Sequence, residues 1–136
     1  MQEIPRKRIS YSLEYMPQSY IELTIPAAAD GSYQLEKEAL HIWPRKDFML
    51  IALPNPDGSF TCTLFMNQEG DISFDALTQR PDVEAFFKTY FSDTLDLITD
   101  PIDEFMNRKA APLSLVHIYH WVININLVLI CYASHA

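Results

Sequence analysis

The chain has 136 residues, 49% of them hydrophobic and 12% aromatic, a composition that supports one modest domain with a buried core and excludes a disordered polymer. A net charge of -8, with no cationic cluster larger than Arg6-Lys7-Arg8, leaves no surface for a phosphate backbone and excludes nucleic acid as a partner. Cys62 and Cys131 lie inside apolar runs without metal-ligand spacing and read as free buried thiols of a reducing compartment. Met1 to Ser10 is polar and basic with no apolar signal core, so a cytoplasmic location is the default expectation.

In chain order, Tyr20-Ile-Glu-Leu-Thr-Ile-Pro26 alternates, with Ile21, Leu23 and Ile25 on one side and Tyr20, Glu22 and Thr24 on the other. It predicts a half-buried strand that stops at proline. Residues 27–31 form a loop, 39–43 a second strand, and Pro44-Arg-Lys-Asp47 a polar turn into the strand Phe48 to Leu53. Pro54-Asn-Pro-Asp-Gly-Ser59 then returns the chain into Phe60 to Met66, which is a hairpin signature. After Gly70 the period changes. Val83, Phe86, Phe87 and Tyr90 recur at helical spacing behind Pro81, and Asp82 and Glu84 favour a helix start. Leu95 to Met106 predicts one or two further short helices, punctuated by Pro101.

The segment from Ala110 to Ala136 has no Asp, Glu, Lys or Arg, and Leu113 to Tyr132 is long enough to span a bilayer as a helix. Pro112, His117, His120, Asn124 and Asn126 interrupt it, however, and its Val and Ile content fits two buried strands joined by a tight turn around Asn124-Ile-Asn126. A membrane span is therefore not expected. Strands, then helices, then strands predict an α+β fold, a mainly antiparallel sheet with helices packed on one face.

Within the hairpin, Met49, Ile51 and Leu53 share one face, and Phe65 shares a strand face with Thr61 and Thr63. A register setting Met49 opposite Phe65 and Ile51 opposite Thr63 makes one continuous wall, apolar with a few hydroxyls, as a small aromatic ligand requires. Alternation of this kind serves equally as ordinary sheet core. Arg45 in the turn is a possible anion ligand, and a neighbour such as Asp47 is its alternative partner. His117 and His120 point to opposite faces of a strand and make no metal site, and no nucleophile with a supporting base is present, so no catalytic residue is assigned.

The block from Leu40 to Met66, flanked by Tyr20 to Pro26 and by Leu127 to Ala136, resembles the substrate-domain core of the kynurenine 3-monooxygenase family, flavin-dependent aromatic hydroxylases. The resemblance covers nearly the whole chain and implies a partial substrate-binding domain over residues 1–136, a fragment without the nucleotide-binding segment before it and the flavin-contacting segment after it. It implies hydroxylation of L-kynurenine to 3-hydroxykynurenine with FAD, NADPH and O2, by a longer polypeptide; the fragment alone is expected to be inactive. In that family the residues matching Leu40, Ile51, Leu53 and Phe65 line the pocket for the aromatic amino acid, with Met49 a neighbour on the same face. The family's carboxylate-gripping residues lie in the preceding region. The Gly-Asp pair that contacts the ribityl chain of FAD is replaced here by Cys131 and Tyr132, while Ala133-Ser-His-Ala136 is retained. Tyrosine offers no carboxylate acceptor and adds bulk, which weakens the expectation of flavin binding at these positions. The three glycines, Gly31, Gly58 and Gly70, are too far apart for a dinucleotide fingerprint. The alternative is a non-catalytic sheet domain that binds a small apolar ligand or self-associates through an exposed apolar face.

Overall fold

A computed structural model describes residues 10–119, 122–123 and 127–128. Its elements are β1 (Ser10–Ile25), β2 (His41–Arg45), β3 (Phe48–Pro54), β4 (Phe60–Asn67), α1 (Arg80–Tyr90), α2 (Pro101–Asn107), β5 (Ala111–Tyr119), β6 (Val122–Ile123) and β7 (Leu127–Val128). The first five strands to form a sheet lie in the order β2-β3-β4-β1-β5, and β6 pairs with β7 alone. The chain divides into two compact units, Pro17–Pro112 and the two chain ends, Met1–Met16 with Leu113–Ala136.

In the larger unit β2, β3, β4 and the second part of β1 pair antiparallel in sequence-local hairpins and one longer return. One face of this sheet is the core. Ile21, Leu23, Ile25, Leu50, Ala52, Phe60, Cys62, Leu64 and Met66 are buried there, every second residue of their strands, as the two-residue period requires. The helices cover this face. Phe86 and Tyr90 of α1, with Phe91 beyond it, pack rings on Phe48 at 5.4, 5.1 and 6.0 Å between centroids, and Phe105 of α2 meets Phe87 at 6.1 Å. The α+β architecture with helices on one face is therefore the one observed.

Boundaries moved where non-local partners decided them. β1 begins at Ser10 rather than Tyr20, because its first part lies beside β5, a partner from the far end of the chain. β2 runs on through Pro44 and Arg45, so the turn shrinks to Lys46-Asp47; proline is tolerated because β2 is a sheet edge. Lys46 adopts φ 51, the left-handed conformation such a tight turn demands. Pro101 opens α2 instead of interrupting it, behind an Asp100 cap whose carboxylate accepts from the Asp103 amide, and Leu95 to Ile98 forms turns rather than helix.

Two Asp-Gly-Ser turns pack together beside the sheet. In each, the aspartate (Asp30 or Asp57) accepts at 2.6 Å from the serine hydroxyl and at 3.0 Å from its amide (Ser32 or Ser59). Those bonds hold both carboxyls below the ordinary aspartate value. Gly58 sits at φ 89 with the Gly31 carbonyl oxygen 2.7 Å from where a Cβ would stand.

In the smaller unit β5 is a strand over Ala111–Tyr119, so the membrane-helix reading fails for that stretch, and among the described residues no helix is long and apolar enough to cross a bilayer. Its expected burial is not found either: residues 111–119 are half-buried or exposed. Val122 pairs with Val128 and Ile123 with Leu127, the hairpin expected around residues 124–126.

Candidate functional site

The register of the central hairpin builds the other face of the larger sheet. Met49 stands opposite Phe65, Ile51 opposite Thr63 and Leu53 opposite Thr61, the register under which these residues join into one wall. The next strands continue the row on either side: Ile42 opposes Ile51 and Pro44 opposes Met49, while Tyr20, Glu22 and Thr24 of β1 oppose Phe65, Thr63 and Thr61. Tyr20 and Phe65 hold their rings 6.0 Å apart, a tilted aromatic pair.

Among the described residues no helix covers this face. Leu40, Ile42 and Leu53 are 51%, 52% and 50% exposed and Met49 39%, whereas Ile51 and Phe65 are partly buried between their neighbours. Large apolar groups gathered on one open surface signal a face that takes a ligand or a partner. Of the five residues singled out from sequence, Ile51, Leu53, Phe65 and Met49 are thus gathered on one side of one sheet, and Leu40 directly precedes β2. Sequence reading missed Tyr20 and Ile42 as members of the wall; the alternation of β1 and of the edge strand was the signal for both. Gln18 and Asn67 close one end, where the Gln18 amide donates to Asn67 Oδ1 at 3.0 Å. At the other end Asn55 Nδ2 donates to Thr61 Oγ1 at 3.1 Å. Cys131 and Tyr132 lie outside the described residues, as does His120.

Arg45 is not part of the wall. It points to the helix side, where its Nε donates to the Tyr90 carbonyl at 2.6 Å and its Nη2 to both oxygens of Asp93 at 3.0 Å, with its guanidinium carbon 5.3 Å from the Phe91 ring centre. Its partner is therefore Asp93 and not Asp47, and its function is to rivet β2 to the end of α1. A separate cavity of about 500 Å³ lies at the Lys46-Asp47 turn, lined among others by Phe48, Asn67, Asp71 and Tyr90. Of the wall residues it touches Asn67 alone, and its Asp47 and Asp71 offset Arg45 and Lys46, so it presents no single charge to a ligand.

The described residues do not fit a flavin. A dinucleotide needs a glycine-rich turn open to the phosphates at a helix start. Gly58 is closed off by Gly31, and Gly31 and Gly70 are isolated in turns. Among the described residues no group of three His, Cys, Asp or Glu converges as metal ligands, and His41 lies on the core side with Nε2 2.8 Å from the Glu36 carbonyl oxygen. What this arrangement can do is bind: it holds an aromatic ring against apolar area and offers hydroxyls and one carboxylate for orientation.

No family model matches the chain. The chain is 48% identical over 127 residues to the kynurenine 3-monooxygenase of Flavobacterium psychrophilum, 43% over 129 residues to that of Dictyostelium discoideum and 45% over 123 residues to that of Myxococcus xanthus. These alignments take in 93%, 95% and 90% of this chain but 28%, 28% and 26% of the relatives, so the chain spans little more than a quarter of their length. In structure it matches 2-methyl-3-hydroxypyridine-5-carboxylic acid oxygenase with a TM-score of 0.58 at 14% identity, over 94% of this chain and 34% of the other. That likeness shows the fold; the sequence likeness is to one segment of the kynurenine 3-monooxygenases.

Proposed function

We propose that this chain is the substrate-domain segment of a kynurenine 3-monooxygenase-like flavoprotein, and that the open face of its larger sheet is the apolar wall of the aromatic substrate's site. The observation that carries the reading is the register Met49–Phe65, Ile51–Thr63 and Leu53–Thr61, in which Ile51, Leu53 and Phe65 share one open face with Met49. The 37% to 48% identity of the kynurenine 3-monooxygenases to this chain supports it. The reaction proposed is hydroxylation of L-kynurenine to 3-hydroxykynurenine with NADPH and O2. FAD, when bound by the polypeptide, supplies the oxygen activation, a division of labour in which protein contributes position and desolvation. The residues in hand do not hold that group, so their part is limited to seating the ring against Ile51, Leu53 and Phe65. By itself the chain is proposed to be inactive, because an apolar wall leaves the charges of an amino acid unpaired.

The test is to purify the polypeptide and record its flavin absorption, its binding of L-kynurenine by NMR, and its formation of 3-hydroxykynurenine by mass spectrometry. Binding that shifts the Phe65 and Ile51 resonances supports the wall. Absence of kynurenine shifts, together with concentration-dependent oligomers through the same face, would replace the reading with the non-catalytic sheet domain.

A further inference from the structure

The wall carries one acidic carboxyl and no basic side chain. Along the open face of β1 to β4 the residues are Gln18, Tyr20, Glu22, Thr24, Ile42, Pro44, Met49, Ile51, Leu53, Thr61, Thr63, Phe65 and Asn67, and of these only Glu22 is charged at neutral pH. The polar ends of the wall are committed, Gln18 to Asn67 and Thr61 to Asn55. Glu22 and Thr63 stand directly opposite each other in the middle, and neither side chain has a hydrogen-bond or ion-pair partner among the described residues. Arg108 and Lys109 line a hollow beside Glu22, but Arg108 is held at 3.3 Å by Glu104.

We propose that Glu22, with Thr63, selects aromatic ligands that bear an amino group, by accepting its two N–H bonds at one spot of an otherwise apolar wall. The inference rests on the reading of this face as the wall of an aromatic ligand's site. An ionised carboxylate only accepts, so it is complementary to a donor and opposed to another acceptor. Directly opposed residues in an antiparallel pair have Cβ atoms about 4.5–5.5 Å apart, close enough for a carboxylate on the one and a hydroxyl on the other to approach one nitrogen at about 2.9 Å each. An amino group has two such hydrogens, whereas a phenol has one. Tyr20 and Phe65, flanking the pair on the same strands, supply the ring contact. Once the face is covered and dry, a ligand without the donor leaves the Glu22 carboxylate buried and unpaired, which is the condition for strong discrimination.

The test compares binding of 4-aminoacetophenone and acetophenone to the full polypeptide that carries this chain, for the native sequence and for Glu22→Leu, Glu22→Gln and Thr63→Val. Both positions are on the open face, and circular dichroism checks that the fold is kept. The native protein is expected to prefer the amine by about tenfold, as a hydrogen bond to a charged group implies. Glu22→Leu should abolish the preference while acetophenone binds as well or better, Glu22→Gln should keep part of it, and Thr63→Val should reduce it by less. An undiminished preference in Glu22→Leu overturns the assignment, as does a variant in which both ligands weaken equally, since that would mark Glu22 as a structural partner of Lys109. Failure of the native protein to bind either ligand overturns the wall itself, and the inference with it.

Discussion

Leu64 and Phe65 are neighbours on β4 whose side chains leave opposite faces of the sheet, so alanine at each position separates core from wall. Leu64 is 0% exposed and lies between Ile21 and Leu50 on the flanking strands, under the helices. Truncating it removes buried methylenes and leaves a cavity, which costs about 2–5 kcal/mol. That is a large share of the roughly 5–15 kcal/mol a domain possesses. Phe65 lies between Tyr20 and Met49 on the open face and loses on truncation only part of its area burial and one ring pair, a cost of about 1 kcal/mol. Urea unfolding followed by far-UV circular dichroism should show a large fall in midpoint for Leu64→Ala and a small one for Phe65→Ala, with the slope unchanged in both. Aromatic-ligand binding should show the reverse order when compared at urea-free conditions where both variants are folded. Equal destabilisation by the two variants would mean that the face bearing Phe65 is packed core, and would remove the basis for a ligand site there.

Gly58→Ala should destabilise by about 2 kcal/mol, because left-handed backbone and a Cβ driven against the Gly31 carbonyl act together, whereas Gly31→Ala, with open space around it, should cost about 1 kcal/mol; thermal melts of the two variants check the difference. Arg45→Lys keeps the charge but loses the fork to Asp93 and the bond to Tyr90, and should lower stability by about 1 kcal/mol in urea titrations, with Arg45→Met no worse than twofold that cost. Burial pushes the Cys62 thiol from 9.0 up to about 12. Between those values the unfolded chain has released a proton that the folded chain keeps, so this contribution is fully present below pH 9 and is lost as pH rises, by at most about 1.4 kcal/mol per unit. Cys62→Ala should flatten that alkaline slope, and a thiol reagent at neutral pH should label Cys62 only at the rate of unfolding; an unchanged slope or rapid labelling would refute its burial.

Local pattern determined a good deal. Alternation in Ile21, Leu23 and Ile25 placed them on one buried side, the Asn-Pro-Asp-Gly loop marked the hairpin of β3 and β4, and the spacing of Val83, Phe86, Phe87 and Tyr90 made α1, since each of these depends on residues a few positions apart. The likeness of the block from Leu40 to Met66 to the kynurenine 3-monooxygenases was also legible in the residues themselves. Tertiary structure decided which side of the hairpin is core. Phe48, Leu50 and Ala52 on one face and Met49, Ile51 and Leu53 on the other are both apolar, so alternation alone cannot rank them; the aromatic edge of α1 and α2 buries the first set and leaves the second open. It likewise decided that Arg45 pairs with Asp93, that β1 reaches back to Ser10, and that Glu22 faces Thr63 across the wall, because each of these joins segments distant in sequence that only the fold makes neighbours.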